Sequence, residues 1–198
     1  MGEISATVRA MKSRILSASV VLLVLVGLAC GAWAAQVDYF LKIPGVDGES
    51  TDAGHKNEIE ILSWSWGESN SSTVVGGGGT GTGKVTMQDF HFVKKMDKAT
   101  PKLMLACATG QHIAQAVLSV RRPSSDPGGN PVEYLKVTFT DLLVRSYQTG
   151  GSSGDVIPTE TLSLNFAAIK FEYTPYDPAT GEAQAPVVFE YDLRTGGL

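Results

Sequence analysis

A glycine-rich stretch is the part of this sequence that comes nearest to a known chemical motif. Residues 78–85 read GGTGTGKV and differ by one residue from the phosphate-binding loop G-x-x-x-x-G-K-[ST], in which backbone N–H groups cradle phosphates. Val85 stands where the motif needs a hydroxyl group to bind Mg²⁺, and the residues that follow alternate like a strand rather than opening a helix. The sequence therefore predicts no nucleotide site here.

The residues that could ligate a metal or act as nucleophiles are scattered along the chain. His55, His91 and His112 fall on a loop, a strand and a helix exit, and none has a companion at metal-ligand spacing. Cys107 has apolar neighbours at helical spacing, which is typical of a small buried residue rather than a reactive thiol. We therefore expect no catalytic residues, no metal and no cofactor, and hence no enzyme.

Three acidic residues are close together in one polar loop. Asp47, Glu49 and Asp52 supply the hard oxygen ligands that Ca²⁺ prefers, so a calcium site is conceivable. Their spacing does not match that of an EF-hand loop, in which ligands recur at fixed positions of a 12-residue segment. A solvated acidic loop without a metal is the favoured interpretation.

Two tryptophans on one strand allow two interpretations. Trp64 and Trp66 share a parity, so their rings either join the core or form an exposed platform on which sugars or bases stack. No basic residues are interleaved with them, as a nucleic-acid platform would require, and this favours the core. The platform remains the alternative, in which the chain is an exported, stand-alone β-barrel binding module.

The first 34 residues are organised like a secretory signal peptide. Basic residues precede an uncharged run at 15–29, and Ala-Trp-Ala at 32–34 matches the A-x-A cleavage pattern. We expect cleavage between Ala34 and Ala35, a single domain over 35–198, and a secreted or periplasmic protein. An uncleaved membrane anchor is the alternative, because the uncharged stretch is just long enough to span a bilayer.

The charge balance limits the kinds of partner. The chain has 16 basic and 20 acidic residues, and loss of residues 1–34 removes three basic and one acidic residue, leaving a net charge of −6. A surface of this sign does not favour nucleic acid or anionic lipid. We expect no nucleic-acid partner, and membrane contact only through the N-terminal segment if it stays uncleaved.

Strands joined by turns make up most of the chain. Alternating apolar and polar residues predict them at 37–43, 57–67, 85–92, 113–122, 132–147, 160–173 and 187–192. In several of these strands the apolar residues shift from odd to even positions midway, which predicts bulges or bends. One short helix is expected, with Thr100 as its N-cap, Gly110 as its end, and an apolar face of Leu103, Ala106 and Cys107 lying against the strands. The prediction is a mainly β fold, an antiparallel barrel or sandwich with one short helix.

Five passages of the sequence together resemble one known family, the haemolysin-coregulated protein (Hcp) tube subunits of type VI secretion systems. The matching passages are DYFLKIPG at 38–45, GES at 48–50, IEILSWSWG at 59–67, KATPKL at 98–103, and LSLNF at 162–166 through FEYTP at 171–175. The similarity extends over essentially all of residues 36–198.

The resemblance carries expectations for structure and partners. It implies a small antiparallel β-barrel with a helix on its side, six copies closed into a ring, and rings stacked into a hollow tube without catalytic activity. The main partner would be the chain itself, and the others a spike protein, a contractile sheath and secreted effectors. Family members ordinarily leave the cell through the type VI machine without a signal peptide, so the N-terminal segment departs from the family pattern.

The loop between the first two strands is the candidate contact between subunits. Residues 46–56 are polar and too numerous for a tight hairpin, which favours an exposed excursion with no reason to fold back onto the core. In the resemblance this segment corresponds to an extended loop that reaches neighbouring subunits. The candidate contact residues are Gly48, Glu49, Ser50, Thr51, Asp52 and His55.

Overall fold

Antiparallel strands account for most of the structure, as the alternating pattern predicts. The computed structural model describes residues 37–71, 85–124, 129–177 and 179–197. Its elements are β1 (Asp38–Lys42), β2 (Ile59–Ser65), β3 (Glu68–Asn70), β4 (Val85–Met87), β5 (Phe90–Lys95), α1 (Thr100–Thr109), β6 (Ile113–Arg122), β7 (Val132–Gly150), β8 (Thr159–Tyr173) and β9 (Val187–Asp192). The predicted signal peptide and the glycine-rich residues 78–84 lie outside the described part of the chain.

Six of the strands close into a barrel. They pair in the order β5-β2-β1-β6-β7-β8, and β5 pairs with β8 to complete the circle. The seventh strand of this sheet, β9, pairs with the second half of β8 and lies outside the closed barrel, while β3 and β4 form a separate two-stranded sheet. The prediction of an antiparallel β-barrel with one short helix is confirmed.

Aromatic side chains fill the centre of the barrel. Phe90 and Phe92 are fully buried neighbours on β5 with ring centroids 4.8 Å apart, and Phe139 of β7 meets Phe90 edge to face at 4.9 Å. Aliphatic residues from the other five barrel strands surround them. Burial of each such side chain contributes about 1.5–3 kcal/mol, so this cluster is a main source of the stability of the barrel.

Bulges occur where the sequence changes parity. The pairing of β2 with β5 shifts between Ile61 and Ser63, and the intervening Leu62 is turned outward, where it is 45% exposed. In β7 the inward positions change parity around Asp141, whose φ of 49° lies in the left-handed region. The predicted bulges and bends are confirmed, and the first of them places an apolar side chain on the surface.

The helix ends as predicted but does not begin as predicted. Gly110 adopts a left-handed conformation, and its N–H donates to the carbonyl of Ala106. Thr100 is not the N-cap: that position is Ala99, which has no side chain that could cap, and the Ala99 N–H is bound instead by the carboxylate of Asp97 at 3.0 Å. The prediction failed because the Thr100 hydroxyl is engaged by buried charged groups described below.

One face of α1 packs on the barrel, beside β7. Leu103 and Ala106 are buried, and Cys107 is half-buried against the same core cluster, so the expected apolar face is present although Cys107 is less covered than its two neighbours. Met104 and Leu105 point away from the barrel and are exposed. No helix within the described ranges is long and apolar enough to cross a membrane.

Candidate functional site

The candidate contact loop is folded against the barrel. Gly48 N–H donates to the carbonyl of Asn57 at 2.8 Å, Asn57 N–H donates to Ser50 at 2.9 Å, and Ser50 N–H donates to Glu58 at 3.1 Å. Gly48 and Ser50 are buried as a result. The loop is exposed at many positions, but the expectation that it does not fold back onto the barrel was wrong, because its backbone groups pair with its own return segment.

The backbone ladder explains why residue 48 is glycine. A Cβ atom on Gly48 would lie 2.2 Å from the carbonyl oxygen of Glu58 and 2.5 Å from the Cα of Ile59. Both neighbours are backbone atoms, which cannot move aside as the end of a flexible side chain could. The loop can approach β2 this closely only without a side chain at this position.

Asp52 binds the loop to β6, the strand that pairs with β1 on the edge opposite β2. Both of its carboxylate oxygens accept hydrogen bonds from Arg121 of β6, Oδ1 from Nη1 at 3.0 Å and Oδ2 from Nη2 at 2.7 Å. The pair lowers the pKa of Asp52, and the Gly54 and His55 amides that bind Oδ1 act in the same direction. Since this pKa is lowered on folding, the contact contributes stability above the ordinary aspartate pKa and loses it as pH falls through the lowered value.

The loop covers an aromatic residue on the outer face of β1. Phe40 is only 5% exposed but does not belong to the core cluster inside the barrel. His55 stacks on its ring at 4.4 Å with the planes 2° apart, the Arg121 guanidinium lies 4.7 Å from its centroid, and Glu58 holds the His55 ring through Nδ1 at 2.8 Å. Two candidate contact residues, Asp52 and His55, therefore hold the loop in place.

The remaining candidate residues form the outer surface of the loop. Glu49 and Thr51 are exposed, and Glu49 Oε1 accepts the N–H of Lys98 at 3.2 Å. Asp47 is also exposed, so the acidic loop is solvated at two positions, while Asp52 is paired. No group of three potential metal ligands occurs among the residues that the structure describes. Of the six candidate contact residues, Glu49 and Thr51 are therefore the ones whose side chains another molecule could reach most readily.

A buried charged network at one end of the barrel was missed by sequence reasoning. Lys94 of β5 and Glu160 of β8 are opposite each other across the strand pair, are almost completely buried, and place Nζ and Oε2 2.8 Å apart. Lys94 also donates to Asp97 at 2.7 Å, and Glu160 accepts from Thr100 at 2.8 Å and from the hydroxyl of Tyr147. The network ties both strands to the start of α1.

Burial and the carboxylate together raise the pKa of Tyr147, with burial as the larger cause. This keeps the hydroxyl protonated as a donor to Glu160. One sequence signal pointed to the network: Lys94 shares the inward parity of Phe90 and Phe92, so a strand with two buried aromatic residues carries a charge at the third inward position. Its partner Glu160 could not be predicted, because the sequence of neither strand shows that β5 pairs with β8.

The two tryptophans pack on the core, which confirms the favoured interpretation. Trp64 stacks on Phe90 with centroids 5.3 Å apart, and Trp66 lies between Phe90 at 6.4 Å and Phe171 at 5.2 Å. The Trp66 indole N–H donates to the Gln88 carbonyl at 3.0 Å. These contacts occupy the rings with protein neighbours and weaken the alternative of a ligand-stacking module.

The last strand leaves apolar side chains uncovered. β9 is the terminal strand of the seven-stranded sheet, and no second strand of the described chain pairs along its outer edge. Val187 is 64% exposed, Val188 49% and Phe189 39%. An apolar edge strand of this kind is a site where a second chain can associate.

Comparison with known proteins gives one consistent match. Residues 40–173 match the family model described as type VI secretion system effector, Hcp. Protein hcp1 of Pseudomonas aeruginosa is 50% identical over 158 residues, which cover 80% of this chain and 96% of that protein.

Solved structures agree with the sequence match. A structure described as a type six secretion system protein has 33% identity and a TM-score of 0.73, covering 81% of this chain and 98% of its own. Hcp1 from Salmonella typhimurium has 41% identity and a TM-score of 0.64, covering 81% and 97%. Both neighbours are matched over nearly their whole length, so the likeness extends to the complete β domain.

Proposed function

The chain belongs to the Hcp family of type VI secretion proteins, and from this premise we propose that it is a structural subunit of a secretion tube. Six copies close into a ring, rings stack into a tube, and the tube carries or conducts secreted effectors without catalytic activity of its own. A spike protein and a contractile sheath are the further partners. The number six, the stacking and these partners rest on family resemblance.

The observation that carries this proposal is the uncovered edge of β9. A closed barrel has no free strand edges, so β9 is where the main sheet can be extended by another chain. Its exposed valines and phenylalanine lose contact with water when a neighbour covers them. If the same contact repeats with an even rotation from copy to copy, it closes into a ring.

The folded contact loop supports the same proposal in a different way. Its exposed residues, Glu49 and Thr51, sit on a backbone fixed by the Gly48 ladder and the Asp52–Arg121 pair. A preorganised loop loses little conformational freedom when it binds a neighbour. We therefore keep this loop as a proposed contact, made by two exposed side chains on a rigid support.

Replacing Val188 with lysine tests the β9 contact. Burying an unpaired ammonium group costs several kcal/mol, so we expect the dissociation constant between subunits to rise by about 100-fold or more. Sedimentation velocity and negative-stain microscopy measure ring formation. Leu105→Lys on the exposed face of α1 is the matched control, and circular dichroism checks folding in both variants. Val188→Lys rings indistinguishable from wild type would rule out β9 as the contact.

We also propose that the first 34 residues are removed on export and that the mature chain begins at Ala35. The intact mass of exported protein is expected to correspond to residues 35–198. Ala34→Leu places a bulky residue where signal peptidase needs a small one and should leave the segment attached. Wild-type protein that keeps residues 1–34 in the membrane fraction would instead support the uncleaved anchor.

A further inference from the structure

A groove of about 270 Å³ lies beside the contact loop, on the outer side of β2 and at the end of β5. Its apolar part consists of Leu62, Met96 and Ile157, which are 39–46% exposed. The β2 bulge turns Leu62 outward, and the Met96 N–H binds the Pro158 carbonyl at 2.9 Å, so the apolar part is held by backbone structure. We call this surface the acidic groove because acidic residues line its rim.

The rim of the acidic groove carries an excess of negative charge. Glu49, Glu60 and Asp97 line it against a single cation, Lys95. Asp97 shares Lys94 with the buried Glu160, but the carboxylate of Glu60 forms no ion pair or side-chain hydrogen bond with any residue that the structure describes. The groove therefore suits an apolar or aromatic group accompanied by a positive charge.

A second cavity, of about 310 Å³, has the opposite character. Arg122, Tyr134, Tyr173, Thr174 and Tyr176 line it, and we call it the tyrosine cup. The Arg122 guanidinium lies 5.4 Å from the centre of the Tyr176 ring, and Tyr134 meets Tyr173 edge to face at 6.4 Å.

The walls of the cup are fixed, and its arginine has no ionic partner within the described ranges. The Tyr176 hydroxyl donates to the Glu133 carbonyl at 2.9 Å, and the Thr174 N–H donates to the Tyr134 carbonyl at 2.8 Å. Arg122 forms no ion pair with an acidic residue of the described ranges. Tyrosine and arginine side chains are enriched in the binding hot spots of protein interfaces.

The two surfaces lie at opposite ends of the barrel. Thr159, the first residue of β8, pairs with Lys95 on the groove, whereas Tyr173, the last residue of β8, lines the cup. One chain therefore cannot bring its own two surfaces together. Two copies can, and a contact between different surfaces of identical chains repeats from one copy to the next.

We propose that the tyrosine cup of one copy binds the acidic groove of the next, with Arg122 pairing with Glu60 and the tyrosine rings covering Leu62, Met96 and Ile157. The inference rests on the proposed function and names a head-to-tail contact within that assembly. A second copy is the occupant because each surface supplies the charge that the other lacks, in a chain whose mature form carries net charge −6.

Charge reversal at both positions tests the pairing. Arg122→Glu and Glu60→Arg each place like charges against one another, and each is expected to weaken association at least tenfold in sedimentation velocity. The double variant Arg122→Glu with Glu60→Arg restores an opposite pair and is expected to return to within about threefold of wild type. Negative-stain images of the same samples record whether rings and stacks form.

Arg145→Glu is the control for altered net charge, because Arg145 is 63% exposed and belongs to neither surface. It should assemble like wild type, and thermal melts should show all variants folded. Single variants that assemble normally, or a double variant as defective as either single one, overturn this inference alone if Val188→Lys still abolishes rings. Wild-type protein that never assembles overturns the proposed function and this inference together.

Discussion

Replacing Lys94 with alanine is expected to lower the free energy of unfolding by about 3–5 kcal/mol, because it leaves the Glu160 carboxylate buried without its cation. Lys94 Nζ lies 2.8 Å from Glu160 Oε2, and this oxygen has no hydrogen-bond partner of good geometry in the described structure. Glu160 Oε1 keeps its hydrogen-bond donors, Thr100 and Tyr147, so the substitution removes the partner of Oε2 alone.

Replacing both charged residues distinguishes the destabilisation caused by an unpaired buried charge from the net stability that the ion pair contributes. Lys94→Met together with Glu160→Leu removes both charges at similar volume and should recover most of the lost stability, since apolar pairs often replace buried ion pairs without cost. Lys95→Ala, at the neighbouring exposed position, should change the unfolding free energy by less than about 0.5 kcal/mol. Urea denaturation followed by circular dichroism measures all of these variants.

Two results would contradict the role of this network. A Lys94→Ala protein within about 1 kcal/mol of wild type would mean that Glu160 finds water or another partner at little cost. A double apolar variant no more stable than Lys94→Ala would mean that the charged groups are needed for the barrel to close and cannot be replaced by packing alone.

Phe40→Ala is expected to lower the free energy of unfolding by about 3–5 kcal/mol and to release the contact loop. The phenyl ring is the surface on which His55 stacks and over which Arg121 lies, so its removal leaves a cavity beneath the loop. The Gly48 and Ser50 amides, which bond to the return segment, should then exchange with solvent faster than in wild type. Hydrogen exchange and urea denaturation provide the two readouts.

Leu105→Ala is the control for loss of apolar volume, because Leu105 is exposed on α1. It should leave amide exchange in the loop unchanged. If Phe40→Ala also left exchange unchanged while destabilising the barrel, the loop would be held by Asp52 and the backbone ladder without help from the aromatic stack.

The sequence predicted those features that depend on neighbours in the chain. Alternation gave the strands, the parity change gave the bulge at Leu62, and Gly110 gave the end of the helix, because each is decided within a few residues. The N-cap at Thr100 failed because a residue 60 positions away, Glu160, binds the hydroxyl that would have capped.

The expectation that the candidate contact loop does not fold back onto the barrel failed for the same reason over a longer separation. Its composition reads as solvent-exposed, but Asp52 meets Arg121, 69 residues further along the chain, and together they cover Phe40. The sequence of the loop does not predict its contact with Arg121. Which side chains of the polar loop are exposed thus depended on the fold around it. Glu49 and Thr51 are the candidate contact residues that are exposed in the structure, and their contact with a neighbour stays a prediction.

The closure of the barrel between β5 and β8 has a kinetic consequence. β7 and β8 are consecutive and can form a hairpin locally, whereas the β5–β8 pairing joins strands separated by a helix and two other strands. Pairings between distant segments form slowly, because the chain between them must first be ordered. Until the two strands meet, both have open edges, and in a concentrated solution of identical chains β5 of one molecule can join β8 of another. The assembly proposed above therefore requires that this pairing is completed within each chain before the copies meet.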